Sequence, residues 1–304
     1  MQINNNLSTS YSTPSIFKRL SAALIDVIIV IALMVLCYFA VGDPILKNAT
    51  SYTSDVQEYR VALLETRLYA ISDTGYRTLN ESEYEDALEF YYYTYLPTIK
   101  NETQPGDEYT LAKKESGLFT ETDGKYEKKA DVSNAKYTEF YTTYYEKGIM
   151  HINEDTTINT IARRVAFYTY TEFGISLFVS VFITYFIFPV FVFKNGKTIG
   201  KLALNISLVD ARDDIRLNKK RIALRQSSFI IIELALSIFT LLIPLFISIT
   251  MAVYNKKNQA LHDFFAVSRV IDDKNKVLYS TKEELDSARE KENTPAFKNR
   301  VADD

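Results

Sequence analysis

The 304-residue sequence holds one cysteine, Cys37, so no disulfide forms within the chain and packing alone must hold its elements together. Only two histidines occur, His151 and His262, and with Cys37 they lie too far apart to spell a zinc pattern, so no metal or cofactor is expected. Charge is missing from three long runs. Residues 20–41 carry only Asp26, residues 173–193 carry none, and residues 227–254 carry only Glu233. A helix needs about 20 apolar residues to cross a hydrocarbon core of about 30 Å. The first two runs therefore each fit one crossing. The third, at 28 residues, is long for one and short for two. Basic residues lack the aromatic interleaving that stacks bases, which argues against nucleic acid as a partner.

What charge there is, is segregated. Lys18 and Arg19 precede the first run with no acid before them. Nine Lys/Arg against three Asp fill residues 194–225, whereas residues 42–172 hold 14 basic and 23 acidic side chains. Cationic flanks stay on the cytoplasmic side. This predicts a cell-membrane, multi-pass chain with its N-terminus and the 194–226 loop cytoplasmic and residues 42–172 extracytoplasmic. A basic loop beside the bilayer also meets anionic headgroups, so lipid is the first expected partner. The first run exceeds the 7–15 apolar residues of a cleaved signal and carries an aspartate, so it reads as a retained span.

Residues 42–172 are Tyr-rich and Gly-poor. Val56, Tyr59, Leu63 and Leu64 recur at helical spacing within 52–70. Residues 83–95, ended by Pro97, residues 131–145 and residues 156–170 read the same way, the last running into the second span. Residues 101–130 are polar, with turn signals at Pro105-Gly106 and Asp123-Gly124, and read as a short hairpin or loop. The tyrosine clusters at 91–93 and 141–145 have two readings, helix packing or an aromatic ligand surface. Asn48, Asn80 and Asn101 head glycosylation-type triplets. Residues 202–210 alternate, with Leu204, Ile206 and Leu208 on one side, and predict a strand. Residues 265–271 predict another, able to pair with it. Residues 282–291 read as helix within a charged tail.

Asp26 is the first residue to carry a signal. A carboxylate at this depth costs roughly 2.5–3.5 kcal/mol on insertion scales and calls for a partner or water. Residues 17–26, FKRLSAALID, resemble the opening signature of RDD-family membrane proteins, Arg-Leu-x-Ala-x-x-x-Asp, here Arg19 to Asp26. Thr198-Ile-Gly200-Lys201, followed by a segment ending Val209-Asp210, resembles that family's Thr-x-Gly-Lys block. Leu261-His262-Asp263 resembles its His-Asp block. The three blocks stand in the family's order and cover residues 16–41 and about 173–272. Departures are Val267-Ser268 in place of Gly-Thr and Asp213-Asp214 in place of Asp-Gly. The resemblance marks Arg19, Asp26 and Asp263 as the charged trio, with His262 beside them and Thr198, Gly200, Lys201 and Asp210 as the loop motif. It implies transport, sodium/proton exchange in some members, or an assembly or quality-control role in others.

Gly196-Lys197-Thr198 is not a phosphate loop, because the required earlier glycine is Phe191. His262-Asp263 has no nucleophile or metal cluster beside it, so no enzyme is expected. Lys256 and Lys257 after the third run argue that it returns inside as a hairpin bent near Pro244; the alternative is one tilted span. The expected fold is an all-α membrane protein. A small transmembrane helical bundle combines two full spans with a Pro-bent hydrophobic hairpin or third span, a short cytoplasmic β element and a mostly helical extracytoplasmic insert. The expected segments are a disordered cytoplasmic tail (1–15), a first helix (16–41), the insert (42–172), a second helix (173–193) and a basic loop with strand (194–226). The third apolar segment (227–254), the His-Asp motif with short strand (255–272) and a charged tail (273–304) follow. Two functions are carried: transport of an ion or small solute, with a monovalent cation or proton site around Asp26; and a non-transporting anchor or assembly subunit. In the second, the insert contacts a membrane-protein partner or a second copy of the chain. Arg19 is expected to pair with Asp263, and Asp26 to be held by the hairpin or by water.

Overall fold

Helices dominate the computed structural model, which describes residues 11–100, 106–255, 257–274 and 276–293. The expectations for residues 1–10, Asn101, Pro105, Lys256 and residues 294–304 lie outside the described residues. The helices are α1 (Ile16–Ala49), α2 (Tyr52–Glu65), α3 (84–100), α4 (Asp107–Glu115), α5 (Asn134–Glu154), α6 (Thr156–Val192) and α7 (Ile199–Ala203). They continue with α8 (Lys219–Phe239), α9 (Ile243–Tyr254), α10 (Leu261–Phe265) and α11 (Lys282–Asn293). The strands are β1 (Tyr69–Ser72), β2 (Gly75–Thr78), β3 (Phe119–Thr122), β4 (Lys125–Lys128), β5 (Ile206–Asp210) and β6 (Ser268–Asp272). They form three antiparallel pairs, β1–β2, β3–β4 and β5–β6. Helices α1, α6 and α8 are long and apolar enough to cross a membrane.

The chain divides into two units. One comprises Met1–Gly42 and Phe173–Asp304, the other Asp43–Glu172. In the first, α1 buries Ala22, Asp26 and Val30 on one stripe, four residues apart, and exposes Leu20, Leu24, Val27, Ile28 and Ile31 on the other. In a water-soluble helix the apolar stripe would be the buried one. Here the exposed face is the more apolar, as lipid contact requires. The tail of α6 contains Pro189, yet the helix continues, because its backbone widens to i→i−5 bonds over Ile183–Val192, and Phe193 N–H donates to Phe188 O at 2.8 Å. The third apolar run is broken. Helix α8 ends at Phe239, Leu241 and Leu242 take left-handed φ of 50° and 66°, and α9 starts with Pro244 in its first turn. The bend thus lies at the two leucines, and Pro244 opens the next helix, where its missing donor costs nothing.

Two strand expectations shift. Residues 202–203 belong to α7, not to a strand, because the Thr198 hydroxyl caps Lys201 N–H and starts a helical turn; Asn205, at φ 52°, then re-aims the chain into β5. Residue 265 closes α10, and the second strand starts at Ser268. β5 and β6 pair as expected, from Ile206 against Asp272 to Asp210 against Ser268.

In the insert the 52–70 helix stops at Glu65, and a hairpin follows. Helix α3 runs through Pro97 instead of ending there, again on a wide turn, with Leu96 N–H donating to Tyr91 O. Residues 107–115 form a helix that hydropathy did not signal, and Asp123-Gly124 turns the β3–β4 hairpin with φ of 52° and 76°. The α2–β1–β2–α3 pattern recurs as α4–β3–β4–α5. Before the strands, Arg67 and Gly117 both take left-handed φ (57° and 67°), and the Thr66 and Ser116 hydroxyls accept from the N–H groups of Leu68 and Leu118. Helix α5 clasps both copies. The Tyr145 hydroxyl donates to Leu68 O at 2.9 Å and accepts from Leu79 N–H at 3.1 Å; the Tyr137 hydroxyl donates toward Leu118 O at 2.7 Å and Lys129 O at 3.0 Å. Tyr91, Tyr92 and Tyr109 are buried in the core of this unit, with the rings of Tyr92 and Tyr109 stacked 4.6 Å apart. The tyrosine clusters are therefore chiefly packing residues.

Candidate functional site

Asp26 sits where α7 crosses α1. Its Oδ2 accepts from the Thr198 hydroxyl at 2.6 Å and its Oδ1 from Gly200 N–H at 2.8 Å. Gly200 is required by the approach: a Cβ there would overlap the Ala22 carbonyl oxygen. The loop motif and the buried aspartate are thus one contact. The hairpin was an expected partner; instead a capping threonine and a glycine N–H are brought flush against the α1 backbone.

The expected Arg19–Asp263 pair does not form. Asp263 is 1% exposed and its Oδ1 accepts from Arg225 Nε at 2.7 Å and from Ser268 Oγ at 2.8 Å, while Oδ2 accepts from Ala260 N–H at 3.2 Å. Arg19 instead donates through Nη1 to Asn258 O at 2.7 Å. Helix α8 brings Arg225 nearer to Asp263 than α1 brings Arg19, and Arg19 finds its acceptor at Asn258 O. Burial by itself would raise the Asp263 carboxyl, but the charge of Arg225 and its hydrogen bonds hold it well below the usual carboxylate range.

His262 does not form a dyad with Asp263, its Nε2 lying 3.8 Å from Asp263 Oδ2. Its Nδ1 lies 2.7 Å from Glu233 Oε1, and its Nε2 lies 2.6 Å from Arg225 Nη2. Arginine only donates, so Nε2 accepts and Nδ1 carries the proton given to Glu233. Burial, with Arg225 alongside, lowers the imidazole pKa and keeps the ring neutral. A chain of contacts runs from Asp263 through Arg225 and His262 to Glu233, tying α8 to α10. Asp210 closes the neighbouring corner, paired with Arg221, whose guanidinium also donates to Ala266 O at 2.8 Å and Val267 O at 2.6 Å.

Arg225, Glu233 and Arg221 were not singled out from sequence as site residues. Glu233 did carry a signal, as the lone carboxylate of an apolar run, and Arg225 stands two turns before it on the same helix. Arg19, Asp26, Lys201, Arg225, His262 and Asp263 all line one cavity of about 200 Å³. Thr198 reaches it only through Asp26, and Asp210 lies at the β5 corner. Among the described residues no group of three or more His, Cys, Asp or Glu could hold a metal ion.

Residues 149–267 match the model of the RDD family. Over those residues the chain is similar to the RDD family. RDD is a membrane family, and three helices long and apolar enough to cross a membrane are compatible with a multi-pass membrane protein. The RDD match takes in the Thr198–Lys201 block, Asp210, Arg225, Glu233, His262 and Asp263. It does not reach α1, so Arg19 and Asp26 join the RDD residues through packing and through their own pattern. No curated protein and no solved structure matches the chain.

Proposed function

We propose that the RDD domain is a membrane anchor locked by its signature charges, and that the chain works as an assembly or interaction protein carrying the 43–172 unit outside the cytoplasm. The observation behind this reading is the engagement of the carboxylates. Both oxygens of Asp26 and both of Asp263 accept hydrogen bonds from other segments, so they act as cross-links between elements. Binding and releasing a cation at either carboxylate would compete with these cross-links. Aromatic residues are favoured at interfaces, and Tyr76 and Tyr93 stay exposed on the insert. The test is crosslinking in native membranes. A constant partner that disappears when residues 52–170 are deleted supports the proposal; a crosslinked product containing only this chain points to a homo-oligomer.

The membrane topology belongs to the same proposal. Lys18, just before the apolar part of α1, pairs with Asp272 at the end of β6 at 2.5 Å, and Arg19 bonds Asn258 just after α9. The segments on either side of the bundle thus share one face, and their basic flanks favour the cytoplasmic one. Helix α9 has 12 residues, about 18 Å at 1.5 Å per residue, which is too short to cross. Phe239 and Leu241 at the bend are 83% and 87% exposed, fitting an apolar hairpin tip buried in hydrocarbon.

A second reading rests on one observation, that Asp26 also lines the cavity. In that reading the cavity passes a monovalent cation or proton. Cation-driven proton flux in proteoliposomes, lost in Asp26→Asn, is its test; absence of flux removes it.

A further inference from the structure

The cavity at the cytoplasmic end of α1 has an imbalance that the locking contacts do not use. Its carboxylates are already engaged. Asp26 accepts from Thr198 and Gly200, and Asp263 from Arg225, Ser268 and Ala260. Its cations are not. The Nε and Nη2 atoms of Arg19 are buried without a hydrogen-bond partner among the described residues. Lys201 lines the same cavity, and no described residue forms an ion pair with its ammonium group. Positive charge with unused donors, lining a cavity whose carboxylates are already engaged, favours an anion over a cation. A volume of about 200 Å³ falls below the roughly 300–1,000 Å³ of sites for drug-sized ligands, so the occupant is a small oxyanion or the head of a larger molecule. An arginine fork beside a lysine point charge matches phosphoryl oxygens.

We propose that this cavity binds a phosphoryl oxyanion, held by Arg19 and Lys201, with Arg225 and Asp263 fixing its far wall. Free phosphate and the headgroup of an anionic phospholipid offer the same chemistry. The lipid source rests on the membrane reading above, and the phosphate source does not. The charge state of Lys201 adds support. Burial, with Arg225 next to it, brings the ammonium down to about 7, against the opposing pull of Asp26 and Asp263 and with Arg19 adding to the depression. Those groups come from α1, α8 and α10, the elements around it. An anion seated there would raise the value again, so binding should weaken as pH rises from about 6.5 to 8.5.

The full chain in neutral detergent, at constant ionic strength, is titrated with inorganic phosphate and, separately, with phosphatidylglycerol against phosphatidylcholine in mixed micelles. The readout is the thermal midpoint followed by Cys37 alkylation. A saturable rise is expected with phosphate, with phosphatidylglycerol or with both, and none with phosphatidylcholine. A rise with phosphate marks a free-anion site; a rise with phosphatidylglycerol alone marks a headgroup site. Lys201→Gln should weaken the effect at least tenfold while melting no lower than the parent without ligand, since a partly buried cation without an ion pair among the described residues has been removed. Lys201→Arg should retain it. Arg19→Gln tests the second donor, and if that variant does not fold, the Lys201 pair decides. No rise with either ligand, or an equal rise in Lys201→Gln, overturns the proposal.

Discussion

Removing one partner of the Arg225–Asp263 pair tests the placement of the buried charges. The two side chains are 3% and 1% exposed, with Nε and Oδ1 2.7 Å apart. Breaking such a pair from one side costs about 3–5 kcal/mol, because the remaining charge is left buried and uncompensated. Asp263→Asn should lie toward the upper end, since it also weakens the contacts from Ser268 and Ala260, each worth about 1 kcal/mol. Arg225→Gln should lie toward the lower end, because Asp263 keeps those two donors. The double variant should cost less than the sum by about 2–3 kcal/mol, the coupling expected for directly bonded groups. Arg19→Gln combined with Asp263→Asn should deviate from additivity by less than about 1 kcal/mol, since Arg19 bonds to Asn258 O and not to Asp263. The chain has no tryptophan, and Cys37, its single thiol, lies in α1; maleimide reactivity against denaturant in detergent therefore reports unfolding of that helix. Strong coupling of Arg19 to Asp263 together with additivity for Arg225 would refute the arrangement.

Gly200→Ala should destabilise the α1–α7 contact more than Thr198→Val, because the added carbon meets backbone whereas the valine loses the bond to Asp26, worth about 1.5–3 kcal/mol, and the cap on Lys201 N–H; Cys37 reactivity reads both. Tyr145→Phe and Tyr137→Phe should each cost about 1 kcal/mol in the thermal unfolding of the insert within the full chain, measured by near-ultraviolet circular dichroism, and no loss in either would remove the clasp. The folded chain keeps His262 neutral with a lowered pKa, whereas the unfolded chain binds a proton below about pH 6.5. Stability should therefore fall as pH drops from about 7 to 5, by at most about 1.4 kcal/mol per unit. The slope between about pH 6 and 5 should shrink in His262→Gln; near pH 7 a slope from Lys201, lowered to about 7, should remain, and Asp263 should add to it only below about pH 4.

The three apolar runs were legible because hydrocarbon demands length and lack of charge, both of which are linear properties of sequence. Asp26 was legible as a lone carboxylate in such a run. Its partners were not, since Thr198 and Gly200 reach it through a crossing that depends on how α7 seats on Ala22. The choice of Arg225 over Arg19 for Asp263 was hidden for the same reason. Both arginines head apolar runs, and only the register of α8 against α10 separates them. Rules for proline misled at Pro97, because a wide backbone turn absorbs the missing donor without ending the helix. Alternation at Leu204, Ile206 and Leu208 is real, but the threonine cap at 198 claims residues 199–203 for a helix first. The first hairpin of the insert was masked by helical spacing that runs up to Ala70, whereas the second announced itself through Asp123-Gly124.

The proposal of a cytoplasm-based anchor stands or falls on which side each unit faces. In a Cys37→Ser background, Lys125→Cys in the insert and Glu283→Cys in α11 are labelled in intact cells with a membrane-impermeant maleimide. The account predicts labelling at position 125 and none at position 283 until the membrane is opened. Labelling of position 283 in intact cells would put the segment after α9 outside, turn the third apolar run into a full crossing and contradict the shared face on which Lys18 meets Asp272.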